Sequence, residues 1–244
     1  MREKQQAPDK AYDGQPQRSR LFRFVSFITH IQLGYLLQDG RHPKMAVRLF
    51  VFIEAVSALA IISTTAYLID LPLLFPPLGP SAFILFFTPL ARTAAPRSVL
   101  LAHSMGLFVG LAMVGLFSLL FPDAALSPGD SLNWARIATL SLAMGVASLG
   151  MILFHCEHPP AAATTLIAAM GFIDSHTQVF GYLVAVLLLI LQAVLFNRLM
   201  GGLPFPLWNF SPEAARQYPD LAGLSDREIT SRDKIQERIF RRQK

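Results

Sequence analysis

Four stretches of the chain are apolar for long enough to cross a bilayer, about residues 45–69, 96–121, 132–154 and 178–200. At about 1.5 Å per helical residue, each reaches across a hydrocarbon core of about 30 Å. Two shorter apolar segments between them are interrupted by proline. In LPLLFPPLGPSAFILFFTPLA, Pro72, Pro76, Pro77 and Pro80 forbid a continuous helix before about Gly79. A short helix can start there, because proline fits a first helical turn and Ser81 can meet exposed amides. In CEHPPAAATTLIAAMG, residues 156–171, Pro159 and Pro160 precede a small-residue run with helical character. The pattern predicts an all-α polytopic membrane bundle of four full transmembrane helices plus two proline-broken half-helices.

The flanks are polar. Residues 1–20 are mixed in charge and interrupted by Pro8, Gly14 and Pro16, and are expected to be disordered. They carry no apolar run and contain Glu3, Asp9 and Asp13, which reads against a secretory or transit signal. Over 21–37, Leu21, Phe24, Phe27, Ile28 and Ile31 are interleaved with Arg23, His30 and Gln32. That suits an amphipathic helix lying in the headgroup region, or one packed on the protein's own cytosolic face. Gly201, Gly202 and Pro204 close the last span, and Trp208 suits a membrane interface. A soluble helix can open at Ser225, where Glu228 completes a capping box. The expected division is a cytosolic N-terminal tail over 1–44, a transmembrane domain over 45–200 and a cytosolic C-terminal tail over 201–244.

Composition agrees with the pattern. With 53% hydrophobic and 15% charged residues, the chain is too apolar for an ordinary soluble domain of 244 residues. The net charge of +5 lies in the tails and at the ends of the spans, which reads as membrane orientation and not as nucleic-acid binding. The single cysteine, Cys156, excludes an internal disulfide framework.

Residues 48–121 and 132–200 follow one order: full span, broken segment, full span. These are two pseudo-repeats, and matching broken segments point to a transport site where the repeats meet. If the broken segments dip in and return, there are four crossings and Arg92 and Arg97 lie opposite the tails. If they cross, there are six passages, with the tails, Arg92 and Arg97 on one side and Asp123 and Asp130 on the other. The positive-inside rule favours crossing and inverted repeats, with Arg136 as the exception. The half-helix N-termini at Pro80-Ser81 and Pro160-Ala161 then lie deep in the membrane. Each would offer unpaired amides and about half a positive charge, a site for a small anion that requires no metal or other cofactor.

Ionisable residues inside apolar sequence are costly, which makes them candidates for function. His158 can line the anion path or cap the following half-helix. Glu157 is a proton carrier or an interfacial residue. In the crossing arrangement Glu54 and His103 lie at similar depth and could meet as a proton-coupling pair or a structural one. Ser81, Thr164 and Thr165 can donate to substrate or bond their own backbone. Arg97 can attract anions at an entrance or simply anchor a helix end. Ala102, Gly106 and Gly110 form a small-residue stripe along which helices approach closely. A metal-dependent enzyme built on His103, His155, Cys156, Glu157 and His158 is an alternative, although no His-Glu-x-x-His helix is present.

The His158-Pro159-Pro160 motif in HPPAAATTLIAAMG, the PPLGPSAFILFF stretch and the Pro96-Arg97-Ser98 to Ala102-His103 segment together resemble the HPP family of integral membrane proteins. The resemblance spans about residues 41–200. It implies four transmembrane helices and, from chloroplast and cyanobacterial members associated with nitrite transport, a transporter or channel for nitrite or another small anion. The expectation is a non-enzymatic protein of a bacterial-type cytoplasmic membrane with both termini cytosolic. Its partners would be the lipid bilayer and a small inorganic anion, with a homo-oligomer left open. Ser81, His158, Pro159, Pro160 and Thr164 would bind substrate, and Glu54 and His103 would couple protons. A non-transporting scaffold or sensor is the alternative.

Overall fold

The computed structural model describes residues 43–224, so the amphipathic segment over 21–37 and the helix opening at Ser225 lie outside the described residues. Seven α-helices follow in order: α1 (Pro43–Ile69), α2 (Leu78–Phe87), α3 (Pro96–Leu120), α4 (Trp134–Leu153), α5 (Pro160–Ala169), α6 (His176–Leu195) and α7 (Pro212–Gln217). α6 continues into a π-helical turn, Phe196–Met200. Four of these elements, counting α6 with its π turn, are long and apolar enough to cross a membrane, and α2 and α5 are the short apolar helices between them. The chain is thus a helical membrane bundle of two pseudo-repeats, α1–α2–α3 and α4–α5–α6.

Local chemistry sets the helix ends. Pro96 and Pro160 occupy first-turn positions of α3 and α5, where a missing amide costs nothing. Asn133 caps α4 by accepting from the Arg136 amide at 2.8 Å, and Ser175 caps α6 through the Gln178 amide at 3.3 Å. α2 begins at Leu78, two residues before Pro80, which the first turn accommodates.

Contacts between distant residues show how the chain runs. Val47 and Phe50 of α1 pack with Leu90, Leu203 and Leu221, so the start of α1 and the segment after α6 share one end of the bundle, here the tail end. Leu85 near the end of α2 accepts from Asn197 at 3.0 Å, placing that helix end there too. At the opposite, far end, the Pro72 carbonyl lies against Gly181 and the Leu126 carbonyl against Gly171. The chain therefore leaves α1 at the far end, passes through residues 70–77 and returns along α2 to the tail end. The second broken segment runs the other way, from the Arg97–His155 contact at the tail end to Gly171 at the far end. Both broken segments traverse the bundle, and the repeats are inverted.

The core lies between α1, α2, α3 and α6, where Ala58, Ile62, Leu85, Phe86, Val99, Leu107, Val186 and Leu189 pack together. Outward side chains such as Phe52, Phe108, Leu119, Leu149 and Leu191 are exposed and apolar, as lipid requires. Close packing takes the place of a hydrophobic driving force between helices in lipid. The expected stripe Ala102, Gly106, Gly110 faces α5: a Cβ on Gly106 would stand 2.7 Å from the Ala161 carbonyl oxygen, and one on Gly110 2.6 Å from Ala168 Cβ.

The expected tail boundary at residue 200 is not a packing boundary. Phe205 is fully buried in the main core, and Ala214, Ala215, Leu221 and Ala222 close over Leu90. This segment carries enough apolar side chains to dock, including α7, whose Ser211 cap accepts from the Ala214 amide at 3.3 Å.

Candidate functional site

The two broken segments bring Ser81, His158 and Thr164 together with His103 of α3. Ser81 Oγ stands 2.8 Å from His103 Nε2 and 3.0 Å from His158 Nε2. His103 Nδ1 lies 2.8 Å from both Thr164 Oγ1 and the Tyr182 hydroxyl, which are also bonded to each other. His158 Nδ1 is 2.7 Å from the Thr93 carbonyl oxygen. The imidazole rings are 5.0 Å apart, edge to face, and all five side chains are fully buried.

A carbonyl oxygen can only accept, so the Thr93 end polarises the chain of hydrogen bonds. His158 carries its hydrogen on Nδ1, and in the neutral ring Nε2 must accept from Ser81. Ser81 then accepts from His103 Nε2–H, and His103 Nδ1 accepts from the Thr164–Tyr182 pair. One arrangement of hydrogens thus satisfies every ring nitrogen with both rings neutral, running from Tyr182 towards the tail end. Ser81 Oγ also lies 2.9 Å from the Pro77 carbonyl oxygen. Its single hydrogen can serve Pro77 or His158, which makes this hydroxyl the point where the chain can break.

The prolines shape the site without touching it chemically. Pro159 is the residue before α5 and Pro160 its first, and neither has an amide hydrogen. The expectation of unpaired amides at the half-helix N-termini is not met. The amides of Leu78, Gly79 and Ser81 bond to Phe75, Pro76 and Pro77, and those of Ala161 and Ala162 to His158 and Pro159. Prolines remove several of the remaining donors, so the polar surface of the site is made by side chains. His158 does not cap α5 with its ring; only its carbonyl contributes, by accepting the Ala161 amide.

The expected meeting of Glu54 with His103 does not occur. Both His103 nitrogens are engaged elsewhere, and Glu54, 1% exposed, has neither carboxylate oxygen hydrogen-bonded. Similar depth in the membrane does not bring the two together, because α1 packs on α2 and α6 and has little direct contact with α3, whose His103 is held by Ser81, Thr164 and Tyr182. Thr165 bonds its own backbone at Ala161, so of the two adjacent threonines only Thr164 joins the network. One oxygen of Glu157, Oε2, is buried without a partner. His155 is exposed, Cys156 packs among alanines and Met151, and His158 turns to Ser81. Among the described residues no three His, Cys, Asp or Glu side chains converge as a metal site.

Tyr182 and the Thr93 carbonyl are members that the sequence reading passed over. The signal for Tyr182 was a hydroxyl about one turn inside the otherwise apolar span over 178–200; the carbonyl had none.

A family model described as HPP, transmembrane region, matches residues 40–206. No curated protein and no solved structure matches the chain.

Proposed function

The chain belongs to the HPP transmembrane-region family, and from that premise we propose that it moves a small monovalent anion across the membrane through the junction of its inverted repeats. The observation that carries this reading is Ser81, whose hydroxyl joins His103 of the first repeat to His158 of the second. Three hydroxyls and two imidazoles converge there with no acidic side chain among their partners. Such a set can donate hydrogen bonds to an anion that has shed its water. Because the five side chains are fully buried, passage requires the half-helices to part. Alternating movement of one repeat against the other supplies such a motion in inverted-repeat transporters.

Nitrite is the proposed substrate, on the resemblance to family members associated with nitrite transport. The one-way chain from Tyr182 to Thr93 supports proton coupling, since a proton gained at His158 Nε2 or His103 Nδ1 turns that accepting nitrogen into a donor and makes its hydroxyl partner rotate. Arg92 and Arg97 at the tail end and Asp123 and Asp130 at the far end support an orientation with the tails inside. Arg136, the exception, is buried beside Asp130 at 3.9 Å and donates to the Ser127 carbonyl.

The test is flux into proteoliposomes of the purified protein, comparing nitrite with nitrate, formate and chloride, under an imposed pH gradient. Nitrite uptake that falls in His158→Ala supports the reading, and a response to the gradient supports coupling. Absence of flux for every anion would overturn it in favour of a scaffold or sensor.

A further inference from the structure

At the tail end, outside the buried network, lies a cavity of about 200 Å³ lined by Arg92, Arg97, Ser98, His155, Asn209 and Phe210 among others. No acidic side chain lines it, and among the described residues neither arginine is in an ion pair. Both guanidinium groups are held in place by uncharged partners. Arg97 donates to the carbonyls of Phe154 and His155, each at 3.1 Å, and Arg92 lies 5.3 Å over the Phe210 ring. Each keeps further N–H donors for a ligand. The first turn of the 25-residue α3 contributes the Ser98 hydroxyl to the same wall, while the Arg97 amide of that turn is already bonded to the Trp208 carbonyl at 3.1 Å. His155 sits at φ 51, a backbone conformation uncommon outside glycine, and its carbonyl is one of those that Arg97 holds.

We propose that this cavity binds a small oxyanion, as the capture site from which the anion reaches the buried network. Two fixed cations with the Asn209 amide and the Ser98 hydroxyl beside them match planar or tetrahedral oxyanions, which arginine recognises through paired N–H groups. The volume is below that of pockets for drug-sized molecules, which suits an ion with a few waters. The cavity is coupled to the network through the Arg92–Ala94 turn, whose middle residue, Thr93, supplies the carbonyl that orients His158. As a capture step this rests on the transport reading; as a binding site it does not. The same chemistry would also accept the phosphate of a lipid headgroup, and the two sources are separable.

The chain has two tryptophans, and in a Trp134→Phe variant the remaining indole is Trp208, beside Asn209 and Phe210. Its emission is followed in full-length protein, in neutral detergent and in phosphatidylcholine nanodiscs, during titration with formate or inorganic phosphate at constant ionic strength. A saturable change is expected, weakened about tenfold in Arg92→Gln for the loss of one charge-assisted contact. It is expected to persist in Ser81→Ala, which alters only the buried network. No saturable change, or one unaltered by Arg92→Gln, overturns the site. A signal that disappears in Ser81→Ala overturns the assignment to this cavity. In phosphatidylglycerol nanodiscs an unchanged response supports a free anion as occupant. A response abolished there supports the site but assigns it to lipid phosphate, and overturns capture. If flux is absent while the Arg92-dependent signal remains, the transport reading fails and the binding site stands.

Discussion

Ser81 Oγ on α2 stands 2.8 Å from His103 Nε2 on α3, and the same oxygen receives His158 from the second repeat at 3.0 Å. One hydroxyl therefore closes the junction between the repeats. In Ser81→Ala, His158 Nε2 loses its donor and His103 Nε2 its acceptor, both in a fully buried place. Anion flux is expected to be lost while the bundle survives, destabilised by about 1–3 kcal/mol, the usual range for a buried group left without its partner. Flux and thermal unfolding of the same preparation check this. Full flux in Ser81→Ala would remove the network from the transport path.

Thr164 and Tyr182 are redundant donors to His103 Nδ1, since both lie 2.8 Å from it. Tyr182→Phe and Thr164→Val are each expected to reduce flux only partly. The double variant leaves Nδ1 with no donor, and its loss is expected to exceed the sum of the two single losses. A double-mutant cycle on flux measures this coupling, and simple additivity would count against a shared acceptor.

Gly106 and Gly110 permit the approach of α5 to α3, because a methyl group at either would fall within 2.7 Å of a neighbouring atom. Gly106→Ala or Gly110→Ala is expected to force the helices apart and lower the unfolding midpoint, with a cost of about 1–3 kcal/mol from overpacking. Gly115→Ala on the same helix meets nothing within 4 Å. It should be neutral or slightly stabilising, by about 0.5–1 kcal/mol. Equal effects at the three positions would contradict the packing.

Glu54 is a buried carboxyl with no hydrogen-bond partner for either oxygen, a cost that the fold carries. Glu54→Leu is expected to raise stability by about 1–3 kcal/mol by removing an unsatisfied polar group. Thermal unfolding reads this directly. A gain in stability with loss of the response to a pH gradient would identify Glu54 as a coupling group independent of His103.

Much of the architecture could be read from residue order. The long spans, the proline breaks and the small-residue stripe follow from rules that act over a few turns of one helix: proline lacks an amide, polar backbone must be satisfied in lipid, and small side chains allow close approach. Ser81, His103, His158 and Thr164 stood out because a polar group in an apolar stretch is expensive. Tyr182 did not, because a tyrosine near a helix start also suits an ordinary interfacial position.

The sequence by itself determined the helices, the broken segments and the depth of each polar residue, since depth is residue count multiplied by rise per residue. Only the tertiary structure decided which of those residues meet. Glu54 and His103 lie on α1 and α3, which have little direct contact with each other, and so they remain apart. Ser81 and His158, separated by 77 positions in the chain, meet because two broken segments running in opposite directions end beside each other. The direction in which a helix turns its polar face is fixed by the elements packed around it, and no single span carries that information.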